Sequence, residues 1–89
     1  MRSEERSLVF DRDFLEDLAH WVSTDRKTAL RVLELVEAIR RAPCEGIGKP
    51  EQLRHLGSGV WSRRITQEHR LVYRVKDDRI LFAQARYHY

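Results

Sequence analysis

The sequence has a single cysteine and no long apolar run. Cys44 stands alone among 89 residues, which excludes an internal disulfide and a metal site built on cysteines. No apolar stretch approaches the roughly 20 residues that span a bilayer, and residues 1–6 lack the apolar segment of a secretory signal. We therefore expect a cytoplasmic protein with no membrane partner.

Glycine and proline are also scarce, with four and two copies, and the sequence has no repeats or low-complexity segments. Linkers between domains are usually rich in these two residues, and a chain of this length buries only a modest core. Apolar residues make up 42% and charged residues 35% of the chain, a composition typical of folded domains rather than disordered ones. The sequence thus predicts one domain over residues 1–89.

Charge is distributed unevenly along the chain. Residues 1–45 carry eight Lys/Arg and ten Asp/Glu, a formal charge of −2, whereas residues 46–89 carry nine and four, a charge of +5. A basic surface that neutralises phosphates releases counterions, which favours binding. The C-terminal half is therefore suited to a polyanionic partner, although charge alone fits a solvated surface equally well.

Hydrophobic periodicity predicts two helices in the N-terminal half, after a short strand at residues 7–10. Asp11 is a suitable N-cap for the first helix, and apolar side chains then recur every three or four residues. Residues 23–25 end this helix and can cap a second one. The second helix should end near Arg41, because Pro43 disfavours helical geometry in the residue before it.

The C-terminal half alternates between apolar and polar residues, which is typical of strands. The pattern predicts strands at residues 60–66, 70–76 and 79–87, and it also allows a short strand at 52–56. The resulting β-α-α-β-β-β order predicts an α+β fold, with two N-terminal helices packed on one face of an antiparallel β-sheet. The other face would be left open, which suits an extended ligand.

Residues 42–51 contain two glycines and two prolines and are predicted to form a loop. The loop lacks the spacing of a Walker motif, and no helix follows it to supply amide groups. Lys49 and Glu51 flank Pro50, whose ring restricts the backbone and so the directions of both side chains. The loop can be a plain connection, or it can present this cation and this carboxylate to a ligand.

Arginines are concentrated in the strand at residues 60–66. Alternation predicts one face with Ser62, Arg64 and Thr66 and an opposite face with Trp61, Arg63 and Ile65. Guanidinium groups suit planar recognition of phosphate, but these arginines can equally be solvated or pair with nearby acids such as Glu68. His69 lies at the following turn and is expected to be a surface histidine.

The chain ends in Arg86-Tyr87-His88-Tyr89. Terminal residues usually fray, so this composition either serves a docked ligand or lets the two tyrosines close the core. A regular final strand would place His88 on the same face as the apolar Ile80 and Phe82. We therefore expect a twist or bulge before the polar end.

Four motifs, in this order, resemble the YoeB toxins, a branch of the RelE/ParE-like toxin superfamily: residues 48–51 (GKPE), 59–66 (GVWSRRIT), 69–73 (HRLVY) and 86–89 (RYHY). The resemblance covers nearly the whole chain, and several motifs at matching spacing are more specific than any one alone. The departures lie mainly in the N-terminal half, where the opening is longer than usual and the helix surfaces differ. They affect the expected partner surface rather than the active site.

The resemblance implies a RelE-like toxin fold and a ribosome-dependent endoribonuclease that cuts mRNA in the ribosomal A site. Such toxins are similar in activating the RNA 2′-hydroxyl for attack on the neighbouring phosphate, which leaves a 2′,3′-cyclic phosphate and a 5′-hydroxyl. That reaction needs a base, an acid and stabilisation of charge at phosphorus. The resemblance implies no metal and no other cofactor.

By matching position, Glu51 is implied as the base and His88 as the acid that protonates the leaving oxygen. Arg70 is implied to bind the phosphate, and Tyr89, with its terminal carboxylate, to orient the RNA or stack on it. Secondary RNA contacts are assigned to Lys49, Arg64, Arg63 and Arg86.

The resemblance also implies partners: a cognate antitoxin whose C-terminal segment covers the active face, the bacterial ribosome, mRNA and, in some members, a second copy of the toxin. Two other classes stay open. A ParE-like gyrase inhibitor would not be an enzyme and would not need Glu51, Arg70 and His88, and an RNA-binding module would show no turnover. Cleaved RNA with 5′-hydroxyl ends separates the enzyme from both.

Overall fold

The computed structural model describes residues 5–87, which form two helices and five strands in one sheet. The strands are β1 (Ser7–Phe10), β2 (Glu51–Gln52), β3 (Val60–Arg64), β4 (Arg70–Val75) and β5 (Arg79–Gln84), and the helices are α1 (Arg12–Thr24) and α2 (Arg26–Arg41). The sheet order is β1-β5-β4-β3-β2. The short strand allowed at residues 52–56 is instead the two-residue β2 followed by a 3₁₀ turn at Arg54–Leu56.

The predicted α+β fold, with both helices on one face of the sheet, is confirmed, but the sheet is mixed rather than wholly antiparallel. Strands β2 to β5 pair antiparallel in sequence order, whereas β1 pairs parallel with β5, with Ser7 opposite Arg79. Neighbouring strands joined by short turns must run antiparallel, but the long connection between β1 and β5 allows either direction.

Side-chain caps set the ends of both helices, as predicted. The Asp11 carboxylate accepts a hydrogen bond from the Asp13 amide at 3.0 Å. The Asp25 carboxylate accepts from the Thr28 hydroxyl at 2.8 Å and from the Thr28 amide at 3.2 Å, and these bonds lower the pKa of Asp25. The chain therefore turns sharply between α1 and α2, which pack side by side over the sheet.

The main core lies between the helices and the sheet. Its most deeply buried side chains come from α1, α2, β4 and β5: Phe14, Val32, Leu35, Ile39, Leu71, Tyr73, Ile80 and Phe82. The opposite face of the sheet carries a second, smaller cluster of Leu53, Val60 and Val72. Part of the face that was expected to be open is thus covered by the segment that follows β2. Neither helix among the described residues is long and apolar enough to cross a membrane.

The predicted irregularity in the last strand is a β-bulge. Val72 pairs with Gln84, but the next residue of β4, Tyr73, pairs with Phe82, which leaves Ala83 as the extra residue. The bulge keeps Phe82 and Ala85 in the main core, and β5 ends at Gln84 rather than at residue 87. It thereby changes the direction in which the C-terminal residues leave the sheet.

Candidate active face

The sheet brings four polar residues together on the face that does not carry the helices. Glu51 on β2 is paired with Ser62 on β3, and Arg64 on β3 is paired with Arg70 on β4. Ser62 is paired with Val72, which belongs to the cluster opposite the helices. Because side chains alternate along a strand, all four side chains share this face.

Arg70 is the fixed centre of this face. Its Nη1 lies 3.6 Å from Glu51 Oε1 and donates a hydrogen bond to Ser62 Oγ at 3.2 Å. The side chain of Arg70 is 13% exposed and that of Glu51 is 56% exposed. The face therefore combines a guanidinium held by the protein with a carboxylate that solvent or a ligand can reach.

The loop before β2 is docked tightly against β3 at Gly48. The Arg64 amide donates to the Gly48 carbonyl at 2.6 Å. Gly48 has φ +83°, and a Cβ there would lie 2.9 Å from Leu35 Cδ2, so both the backbone angle and the lack of space require glycine. The next residue, Lys49, has φ +52°, which usually costs a non-glycine residue about 1–2 kcal/mol. The protein thus holds the exposed Lys49 in a strained position two residues before Glu51.

The expectation that Arg63 contacts RNA is wrong, because its side chain is fully buried on the helix side of the sheet. Its guanidinium donates to the carbonyls of Glu45 and Ile47 at 2.8 and 3.1 Å, to the carbonyl of Ala42, and to the phenol oxygen of Tyr73 at 3.2 Å. These bonds tie residues 42–47 to β3. Arg63 therefore holds the loop that leads to Lys49 and Glu51.

Tyr73 completes this network. Its phenol donates to the Pro43 carbonyl at 2.6 Å while accepting from Arg63 Nε. Burial raises the pKa of Tyr73, because the ionised phenolate would be poorly solvated in the core. The neutral phenol is thus part of the support of the 42–47 loop.

Replacing Tyr73 with phenylalanine tests that support. We expect the free energy of unfolding near neutral pH to fall by about 1–3 kcal/mol, since Pro43 and Arg63 each lose a hydrogen-bond partner. Because the folded pKa is raised, the wild type should also lose stability above about pH 10, where the unfolded phenol ionises first, and Tyr73→Phe should flatten that loss. Urea unfolding across this pH range measures both effects, and parallel pH curves for the two proteins would contradict the account.

The remaining predicted site residues lie at the C-terminus. His88 and Tyr89 are outside the described residues, so their predicted roles stay predictions. Arg86 is partly buried, with its guanidinium 4.6 Å from the centre of the Tyr87 ring. It borders a shallow concavity with acidic residues of α1, namely Asp13, Glu16 and Asp17. The negative charge of these carboxylates in the same concavity disfavours a phosphate there.

His69, expected to be a surface histidine, instead contacts the C-terminal segment. This residue is partly buried, and its Nδ1 accepts a hydrogen bond from the Tyr87 amide at 2.7 Å. The adjacent Arg70 amide donates to the Tyr87 carbonyl at 3.1 Å. The partners are 18 residues apart in sequence, and no local pattern indicates the contact.

Comparison with known proteins places this chain among the toxins of bacterial type II toxin–antitoxin systems. A family model for the YoeB-like toxin of these systems matches residues 10–89, and the chain belongs to this family. It is 55% identical over 84 residues to "Toxin YoeB" of Mycobacterium bovis, covering 94% of this chain and 99% of that protein.

Solved structures agree with this assignment. A YoeB/ParE toxin from Agrobacterium tumefaciens superposes with a TM-score of 0.87 at 40% identity, covering 93% of this chain and 99% of that one. YoeB of Staphylococcus aureus, at 41% identity, was solved both as a dimer and in a complex with YefM. The two structures give TM-scores of 0.85 and 0.81, covering 96% and 94% of this chain and 99% and 98% of theirs.

Proposed function

We propose that this protein is a ribosome-dependent endoribonuclease that cuts mRNA in the A site and so inhibits translation. The observation that carries the proposal is the distance of 3.6 Å between the exposed Glu51 carboxylate and the Arg70 guanidinium. A phosphate bound at Arg70 would have its neighbouring ribose beside Glu51. The pair therefore suits general-base attack by a 2′-hydroxyl on the adjacent phosphorus.

The proposed reaction transfers one proton at each end of the phosphate. Glu51 takes the proton of the 2′-hydroxyl as its oxygen forms a bond to phosphorus. The bond from phosphorus to the 5′-oxygen then breaks, and His88 gives that oxygen a proton. Arg70 stabilises the negative charge that develops on the phosphate oxygens, and Ser62 keeps its guanidinium in place. The products are a 2′,3′-cyclic phosphate and a 5′-hydroxyl.

Further basic residues would extend the RNA-binding surface. Arg64 is cross-strand neighbour to Arg70 on the same face, and Lys49 is exposed in the loop before Glu51. Both can contact phosphates on either side of the scissile one, and Tyr89 at the chain's end would orient the RNA. Binding through several phosphates should weaken steeply as salt rises.

The carboxylate argues for an enzyme over the two alternative classes. A module that only binds RNA gains nothing from a carboxylate 3.6 Å from its central arginine, because that charge repels the phosphate. A gyrase inhibitor requires neither residue. A general base, by contrast, must lie within reach of the ribose next to the bound phosphate.

The helices offer a separate surface for protein partners. Leu15 and Val22 on α1 and Leu30 and Leu33 on α2 are each about half exposed, which is a common mark of a protein-binding surface when such residues are contiguous. The Staphylococcus aureus relative was solved with YefM and as a dimer. The proposed partners here are a cognate antitoxin, whose C-terminal segment would cover the active face, and a second copy of the chain.

The chemistry of the cut ends tests the proposed reaction. mRNA cleaved in a translating extract should carry 5′-hydroxyl and 2′,3′-cyclic phosphate ends. An mRNA with a single 2′-deoxynucleotide at the scissile position should resist cutting at that bond, because the nucleophile is missing. Efficient cutting of the deoxy substrate, or 5′-phosphate ends, would exclude attack by the 2′-hydroxyl.

A further inference from the structure

Both backbone polar groups of Tyr87 are held by the start of β4 and the residue before it. The Tyr87 amide donates to His69 Nδ1 at 2.7 Å, and the Tyr87 carbonyl accepts from the Arg70 amide at 3.1 Å. Tyr87 also has φ +66°, a conformation that usually costs a non-glycine residue about 1–2 kcal/mol. The two hydrogen bonds therefore hold the backbone in a conformation that tyrosine does not favour by itself.

The His69 ring is in turn fixed by the core. It contacts the Trp21 ring edge-on at 4.8 Å and lies 5.6 Å from the Tyr87 ring, measured between ring centres. Trp21 Nε1 donates to the Ala85 carbonyl at 2.8 Å, and the Ala85 amide donates to Asp17 Oδ2 at 2.9 Å. Helix α1 thus holds residue 85, and His69 holds residue 87.

We propose that His69 is a positioning residue for RNA cleavage, and that it acts by fixing the backbone of Tyr87 next to Arg70. His88, the proposed acid, follows Tyr87 in the sequence, so fixing the Tyr87 carbonyl beside the Arg70 amide would limit the positions that the acid can take. The inference rests on the proposed function. In this scheme His69 acts through the backbone of Tyr87 and not on the RNA itself.

Two substitutions distinguish the effect of the Nδ1 hydrogen-bond acceptor from the effect of the aromatic ring. His69→Phe keeps an aromatic ring against Trp21 but has no acceptor, whereas His69→Asn loses the ring but places an amide oxygen close to the position of Nδ1. His20→Phe is the matched control, because His20 also contacts the Trp21 ring at 4.8 Å and has no bond to Tyr87. If His69→Phe fails to fold by circular dichroism, His69→Leu, which also lacks an acceptor, replaces it.

Two readouts on the full chain then test the proposal. In His69→Phe we expect hydrogen exchange of the Tyr87 amide to rise at least about tenfold and the single-turnover cleavage rate on ribosomes to fall about tenfold, the usual effect of losing one hydrogen bond. Ribosome affinity should be unchanged. His69→Asn should keep most of the protection of the Tyr87 amide and most of the cleavage rate. His20→Phe should match the wild type in both measurements.

The outcomes distinguish this proposal from the proposed function. Unchanged Tyr87 exchange in folded His69→Phe would overturn the positioning role, even in an active enzyme. Equal losses in His69→Phe and His69→Asn would overturn it too, since they would assign the effect to ring packing. A wild type that protects the Tyr87 amide but cuts no RNA would instead overturn the proposed function and leave the backbone contact in place.

Discussion

Replacing Arg70 with alanine is expected to slow single-turnover mRNA cleavage by about 10²–10³-fold, the usual loss when one group that stabilises transition-state charge is removed. The guanidinium is held by Ser62 beside the Glu51 carboxylate, so its position needs no adjustment during the reaction. Arg70→Lys should recover only part of the rate, because an ammonium group lacks the planar pair of donors that matches a phosphate. Rapid mixing with programmed ribosomes measures the effect.

Arg74→Ala is the matched control for that experiment. Arg74 lies on the same strand and the same face as Arg70, opposite Val60 rather than Arg64, and it bonds the Leu56 carbonyl at 3.4 Å. Arg74→Ala removes the same positive charge at a position that is not beside Glu51. We expect the cleavage rate to fall by less than about tenfold, through weaker RNA binding alone. Equal defects in the two variants would mean that Arg70 contributes only to the general basic charge of the face.

The second large effect is expected on stability. Arg63→Met should lower the free energy of unfolding by roughly 3 kcal/mol or more, because the three carbonyls of the 42–47 loop and the Tyr73 phenol lose their donor together. Arg64→Met, the same change one residue further on, should lower the free energy of unfolding by less than about 1 kcal/mol, since Arg64 lies partly exposed on the other face. Urea unfolding of both variants makes the comparison.

Arg63→Met and Arg64→Met also test whether Arg63 holds the loop at residues 42–47 in place. If Arg63 holds residues 42–47, proteases should cut Arg63→Met in that loop under conditions that leave Arg64→Met intact. Similar stability and similar proteolysis of the two variants would show that the buried guanidinium does not support the loop.

Local chemistry made much of the fold predictable from the sequence. Asp11 and Asp25 cap the helices where expected, and the polar end of the last strand indicated a twist or bulge, which the structure places at Ala83. Alternation along β3 also placed Arg64 with Ser62 on one face, which in the structure is the face of Arg70. It placed Arg63 with Trp61 and Ile65, on the face that the helices cover. The pattern was therefore consistent with burial of Arg63 against the helices, where RNA cannot reach it.

What the sequence could not predict depends on contacts between distant segments. The parallel pairing of β1 with β5 is not fixed by any local turn, since two helices and three strands separate them. Leu53 covers part of the sheet because it continues β2 and shares the face of Glu51, with its amide donating to the Val60 carbonyl at 2.8 Å. His69 meets Tyr87 only because the bulge redirects the end of the chain. Such features require the packed structure, whereas caps and strand faces do not.

Mapping cuts on programmed ribosomes tests the central claim most directly. Ribosomes stalled with one defined codon in the A site are mixed with stoichiometric protein, and the mRNA ends are mapped by primer extension. We expect cuts confined to the A-site codon, which move with that codon when the stall is shifted and are lost with Glu51→Gln and Arg70→Ala. Intact mRNA after prolonged incubation with folded wild-type protein, or cuts that ignore the position of the ribosome, would contradict it.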